Sequence, residues 1–156
     1  MTERFRVVLF FFACIALPRS SGGQASTQTK LDGPQQIEVV ANDYAFAPLP
    51  SHIASGPTVF TFANHGTVQH EASIARLRDG QTVDSVLKIL KAGGRSRDVV
   101  ERSVGILIAG AAKSPDGKLW VDLLPGKSYV LICTLRDRPD TPPHAMLGMY
   151  ASFKPQ

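Results

Sequence analysis

Short runs of β-branched and aromatic residues, cut at close intervals by proline and glycine, constrain this chain more than any other feature. The clearest is TVFTFA at residues 58–63, which alternates along its length and ends at the turn formers Asn64 and Gly66. Residues 37–41, 44–46, 70–77, 119–124, 128–133 and 149–153 read the same way, as short extended stretches. Asn42 and Asp43, Pro48 and Pro50, Gly56 and Pro57, and Pro125 and Gly126 mark turns between them. Such a pattern predicts an all-β chain, a Greek-key β-sandwich. One stretch breaks it. Val83, Val86, Leu87 and Leu90 fall at helical spacing, with Asp79 or Thr82 as cap and Gly93-Gly94 as stop. A further helical turn over 95–102 completes a short helical insertion around residues 82–102. Residues 104–112 are apolar and contain glycine, and no period assigns them.

The first 25 residues have a different character. Arg4 and Arg6 precede the apolar run VVLFFFACIAL at 7–17, which Pro18 closes. That run is short for a bilayer span and has the form of a secretory signal, with Gly23, Gln24 and Ala25 at the cleavage positions. The sequence therefore predicts a signal peptide over 1–25, a disordered leader over 26–35 and one folded domain over 36–156, periplasmic or secreted. Removing Arg4, Arg6, Arg19 and Glu3 with the signal leaves 14 basic and 12 acidic residues of the original 17 and 13, a net charge of +2. Nothing in that balance demands nucleic acid. No second apolar run could span a membrane, and a monomer is expected.

Export isolates one thiol. Cys14 leaves with the signal, so Cys133 has no partner within the mature chain. A free cysteine is often an inert core residue, but its downstream neighbours point elsewhere. His144 and Met149 follow it in CTLRDRPDTPPHAMLGM at 133–149, and His70 opens a strand far upstream. Thiolate, imidazole and thioether together suit copper better than other common metals. Side chains alternate across a strand, so parity tests direction. His70 shares its face with Ala72 and Ile74, and Met149 shares its face with Ala151 and Phe153. Glu71, Ser73 and Ser152 take the opposite faces. Cys133 shares its face with Tyr129 and Leu131, although Val130 and Ile132 make that strand apolar on both sides. His144 lies in a proline-rich loop, where direction cannot be read. Three inward candidates at strand ends suit a site between two sheets, and three ordinary core residues would point the same way.

These segments resemble the cupredoxins, the small blue-copper proteins of the plastocyanin, azurin and sulfocyanin kind. The resemblance runs from about Ile37 to Phe153. It is carried by DYAF at 43–46, ASGPTVFTFAN at 54–64, GTVQHE at 66–71, LPGKSYVLIC at 124–133 and HAMLGM at 144–149. It implies a cupredoxin-like domain that holds one type 1 copper through His70, Cys133, His144 and Met149. It also implies a single-electron carrier, not an enzyme, that works with a redox partner protein. His144 and Met149 keep the four-residue separation of plastocyanin-like members. His144 would then be the exposed ligand through which an electron leaves, and Asn64 a brace for the ligand loops. Two features depart from the family. Residues 81–118 form an unusual insertion, and ten residues, 134–143, stand where the family places only a few between cysteine and second histidine. Pro139, Pro142 and Pro143 stiffen that loop.

The departures keep two other readings open: a metal-free interaction module on the same scaffold, using the helical insertion as its contact surface, and a periplasmic copper carrier. His65 is an alternative imidazole and Met146 an alternative thioether. His52 reads as a solvated loop residue, and Trp120, Phe60 and Phe62 read as core aromatics. Arg76, Arg78, Arg95, Arg97 and Arg102 read first as a solvated, salt-bridged surface and second as a docking patch for an acidic partner. No nucleophile–base pair, phosphate loop or paired carboxylates point to an enzyme.

Overall fold

Alternation gives each strand one apolar face, and the computed structural model, which describes residues 33–156, buries those faces between two four-stranded sheets. The expected signal peptide, and the leader as far as residue 32, lie outside the described residues. The first sheet holds β1 (Gln35–Asn42), β2 (Ala45–Phe46), β3 (Gly56–Asn64) and β6 (Leu119–Leu123), in the order β2-β1-β3-β6. The second holds β4 (His70–Leu77), β5 (Val100–Ala109), β7 (Tyr129–Ile132) and β8 (Tyr150–Phe153), in the order β5-β4-β7-β8. β1 and β3 run parallel, with Ile37 opposite Phe60 and Val39 opposite Phe62. All other pairs are antiparallel. The chain changes sheet between β3 and β4, between β5 and β6, and between β6 and β7. The all-β sandwich expected from the sequence is the architecture found.

The inward positions build the core: Ile37, Val39 and Ala41 of β1, Phe60 and Phe62 of β3, Ala72 and Ile74 of β4, and Tyr129 and Leu131 of β7. Cys133 and Met149 belong to the same cluster, at one end of it. Burying each such Ile, Val, Leu or Phe side chain contributes roughly 1.5–3 kcal/mol. A second, smaller cluster explains why the Cys133 strand is apolar on both faces. Val130 and Ile132 lie on the outer face of β7 with Ala75 and Leu77 of β4. The helix α1 (Val83–Lys91) covers them through Val83, Val86, Leu87 and Leu90.

Thr82 and Ser85 cap α1 reciprocally, each side-chain oxygen facing the other's backbone N–H. Asp84 in the first turn and Lys88 and Lys91 in the last match the helix dipole. Gly93, at φ 69°, ends the helix while the Gly94 N–H donates to Ile89 O at 2.9 Å. Asp79, the other cap considered, accepts instead from Lys127 Nζ at 2.7 Å. Among the described residues, no helix is long and apolar enough to cross a membrane.

Two local expectations change. The helical turn at 95–102 is one 3₁₀ turn, Ser96–Asp98, and the chain is extended from Val100 onward. The unassigned stretch at 104–112 is mostly the second half of β5, an edge strand paired with β4 from Val100 opposite Leu77 to Ala109 opposite His70. Its pattern hid because both faces are apolar: Leu107 and Ala109 point inward, while Ile106 and Ile108 stay exposed. Phe60 and Phe62 are core residues, but Trp120 is 66% exposed on β6.

Candidate metal centre

Four segments meet where the core cluster ends. His70 is the first residue of β4, opposite the last residue of β5. Cys133 directly follows β7, and Met149 directly precedes β8. His144 opens a 3₁₀ turn, His144–Leu147. The His70 Nδ1 and His144 Nδ1 atoms face each other at 3.1 Å, and Cys133 Sγ stands 3.4 Å from His144 Nδ1. One donor atom from each of the three lies within 4.8 Å of the others, all from buried side chains. Met149 is fully buried beside Cys133. Its carbonyl accepts from Cys133 N and its N–H donates to His144 O, both at 3.1 Å. Met146, the competing thioether, is only half-buried, while His65 and His52 are exposed.

The ten-residue loop does not hold His144 away. The His144 N–H donates to Leu135 O at 2.8 Å, and the Ala145 N–H donates to Cys133 O at 2.8 Å. These bonds pinch the loop at its base, so residues 136–143 leave and return at one point. Measured along the pinched path, His144 follows Leu135 almost directly, as a much shorter loop would place it. Within the excursion, Thr141 bonds the Arg138 backbone through both its N–H and its hydroxyl. Loop closure grows only slowly with length, so two backbone bonds suffice to gather the extra residues.

The other imidazole is set by the sheet. Asn64 is 1% exposed, and its amide nitrogen donates to Val68 O (2.8 Å), Ala109 O (3.1 Å) and Gly110 O (2.9 Å). Its oxygen accepts from Gly66 N at 2.9 Å. It therefore braces the turn before His70 against the end of β5, rather than tying the two ligand loops together. Gly66 packs so closely that a Cβ there would stand 3.0 Å from His70 Nε2 and 2.5 Å from Asp43 Oδ1.

The tie between the ligand segments is Glu71. Parity placed it on the hydrophilic face of β4, yet it is 5% exposed. Its carboxylate accepts from the Thr134 N–H at 2.8 Å and the Thr134 hydroxyl at 2.7 Å, and its own N–H points at Cys133 Sγ, 3.4 Å away. Burial pushes the Cys133 thiol up, against the lowering pull of the Glu71 and Leu135 backbone N–H groups. His70 is pushed down, first by burial and then by neighbouring His144. The His70 imidazole is therefore mostly neutral near pH 7.

The remote ring nitrogens differ. His144 Nε2 lies 3.0 Å from Asp137 Oδ1, and Asp137 Oδ2 accepts from the Tyr44 hydroxyl at 2.6 Å. His70 Nε2 has no hydrogen-bond partner: Asp43 Oδ1 is 3.7 Å away and is occupied by the Thr67 N–H at 2.7 Å. One expectation is corrected here. His144 is not the exposed ligand: it is 1% accessible, because Tyr44 packs edge-on at 5.0 Å and Asp137 caps its outer nitrogen.

The comparisons with known proteins agree with this architecture. No family model and no curated protein matches the sequence. Among solved structures, the chain is similar to dithionite-reduced auracyanin from the photosynthetic bacterium Roseiflexus castenholzii, at 19% identity and a TM-score of 0.54, covering 80% of this chain and 99% of that one. It is similar to auracyanin B at 20% identity, TM-score 0.54, covering 80% and 91% of the two chains. Auracyanin A, a blue copper protein from the green thermophilic photosynthetic bacterium Chloroflexus aurantiacus, matches at 18% identity, TM-score 0.54, covering 80% and 100%. The fold is the cupredoxin sandwich. The cupredoxin-like segments quoted from the sequence fall on its strands and on the loops between them, and the 81–118 insertion divides into α1, a 3₁₀ turn and the edge strand β5.

The donor set fits copper. A soft sulfur and two inward Nδ1 atoms converge, and the His144 ring is held from behind by a carboxylate, as metal-bound histidines usually are. Residue type and order had singled out the three residues that cluster. Asp137, Tyr44 and Glu71 were not singled out in this way: one is one of two acids in a loop, one opens a stretch read as extended, and one follows a histidine on the face read as hydrophilic.

Proposed function

We propose that this chain binds one copper ion through His70, Cys133, His144 and Met149 and carries single electrons. The observation that carries this reading is the convergence of the His70, Cys133 and His144 donor atoms, within 4.8 Å, at the end of a cupredoxin sandwich. Bound type 1 copper supplies a one-electron couple. The protein supplies a buried thiolate site, two imidazoles whose metal-facing atoms already point inward, and a buried thioether beside them. Strand ends and backbone bonds hold these groups, so little has to move between oxidation states.

The rest of the reading belongs to the same proposal. The chain acts outside the cytoplasm, periplasmic or secreted, as a monomer that meets a redox partner protein and needs no nucleic acid. It is a carrier, not an enzyme. Copper(II) added to the purified protein should give a blue thiolate-to-copper charge-transfer band at one equivalent, with a reversible one-electron couple. A colourless protein with no bound copper removes the proposal. Copper(I) binding without a reversible couple replaces the electron carrier by a copper carrier.

A further inference from the structure

The excursion at 136–143 does more than leave and return. Its second residue, Asp137, follows Leu135 closely, and Leu135 is pinned to the His144 backbone. That attachment lays the Asp137 carboxylate along the outer edge of the His144 ring, with Oδ1 3.0 Å from Nε2. The other oxygen accepts from the Tyr44 hydroxyl at 2.6 Å. Tyr44 reaches this position from the turn between β1 and β2, with its backbone at φ 59°, a conformation uncommon for a residue with a bulky side chain. Its ring stands edge-on to both imidazoles, at 5.0 Å from His144 and 6.1 Å from His70. The carboxylate beside Nε2 settles the tautomer: Nε2 carries the proton and donates, and Nδ1 keeps its lone pair turned toward Cys133 and His70.

We propose that Asp137, held by Tyr44, is a positioning residue that orients His144 and biases the site toward the higher copper oxidation state. The inference rests on the copper-carrier reading. A carboxylate accepting the imidazole N–H makes the ring a stronger electron donor. A stronger donor favours Cu(II) over Cu(I), so the reduction potential is lower than it would be without Asp137. The two imidazoles are thereby unequal: His144 has a carboxylate in hydrogen-bond contact, while His70 Nε2 has none.

The test compares wild type with Asp137→Asn, which preserves shape, and Asp137→Ala, which removes the acceptor. Both should keep the blue charge-transfer band and shift the one-electron potential upward, Ala more than Asn. Loss of such a partner usually weakens metal affinity 10–100-fold. Each tenfold loss of Cu(II) relative to Cu(I) raises a one-electron potential by about 59 mV. A potential that stays at the wild-type value in variants that remain blue overturns the proposal. A second arm needs no copper. In metal-free wild type, the His144 Nε2–H should be visible by nitrogen-15 NMR and slow to exchange, and Asp137→Ala should abolish that protection. A wild-type protein that takes up no copper sinks the carrier reading. The metal-free arm then judges the Asp137–His144 bond by itself, and an unprotected wild-type Nε2–H overturns it.

Discussion

The two histidines reach the same centre by opposite means. His70 is placed by a sheet: it opens β4, pairs across to Ala109, and is preceded by a turn that Asn64 fills with four hydrogen bonds. His144 is placed by a loop, with two backbone bonds at its base and a carboxylate behind its ring. The first arrangement is specified by strand register and cannot shift without disturbing the sandwich. The second depends on a few contacts that leave the loop's length free. Damage near His70 should therefore appear first as lost stability, and damage near His144 as altered chemistry on an intact fold.

The largest break should come at Asn64. Asn64→Ala leaves buried carbonyls at Ala109 and nearby without their donor and should destabilise the protein by roughly 2–4 kcal/mol, read as a lower denaturant midpoint with unchanged slope. Copper loading should fall with it. Glu71→Gln should come next. It keeps the shape but weakens the charged bonds to Thr134, at about 1–2 kcal/mol. It would also show that the sheet side and the loop side are coupled, because β4 and the Cys133 segment would separate together. Replacing residues 136–143 by two glycines removes Asp137 and its bonds to His144 and Tyr44 along with the loop, and should cost about 1–2 kcal/mol. The blue band should survive, since Cys133, Leu135 and His144 remain. If excision removed the band, the pinch would not be what places His144.

The gentlest probe is acid. Burial and His144 hold His70 below its ordinary range, so the unfolded chain takes up that proton first. Stability of the metal-free protein is then greater above the ordinary imidazole value of about 6.5 and declines as pH falls through it. Urea midpoints at pH 7.5 and 5.5 should differ in that sense, and His70→Gln should reduce the difference.

Legibility followed the same division. Strands with one polar face announced themselves, and so did the turns between them. β5 did not, because Ile106 and Ile108 remain exposed while Leu107 and Ala109 turn inward, leaving no alternation to find. Trp120 misled because aromatic bulk predicts burial only on average, and here the outer face of β6 carries it. The candidate residues that cluster could be picked out because metal chemistry restricts residue type. The pinch could not, since backbone bonds from His144 to Leu135 and from Ala145 to Cys133 leave no mark on side-chain identity. Asp137 was hidden for the same reason: only the folded path of the loop shows that it lies against His144.

The small closed turn from Arg138 to Thr141 has a practical use. Its ends are joined through Thr141, and none of its residues is a proposed donor. A reporter peptide or an affinity tag spliced between Pro139 and Asp140 would ride on a self-sealed handle, two residues from the carboxylate that touches the imidazole. Cargo of almost any length could then be mounted beside the proposed copper site while the strands that carry it stay as they are.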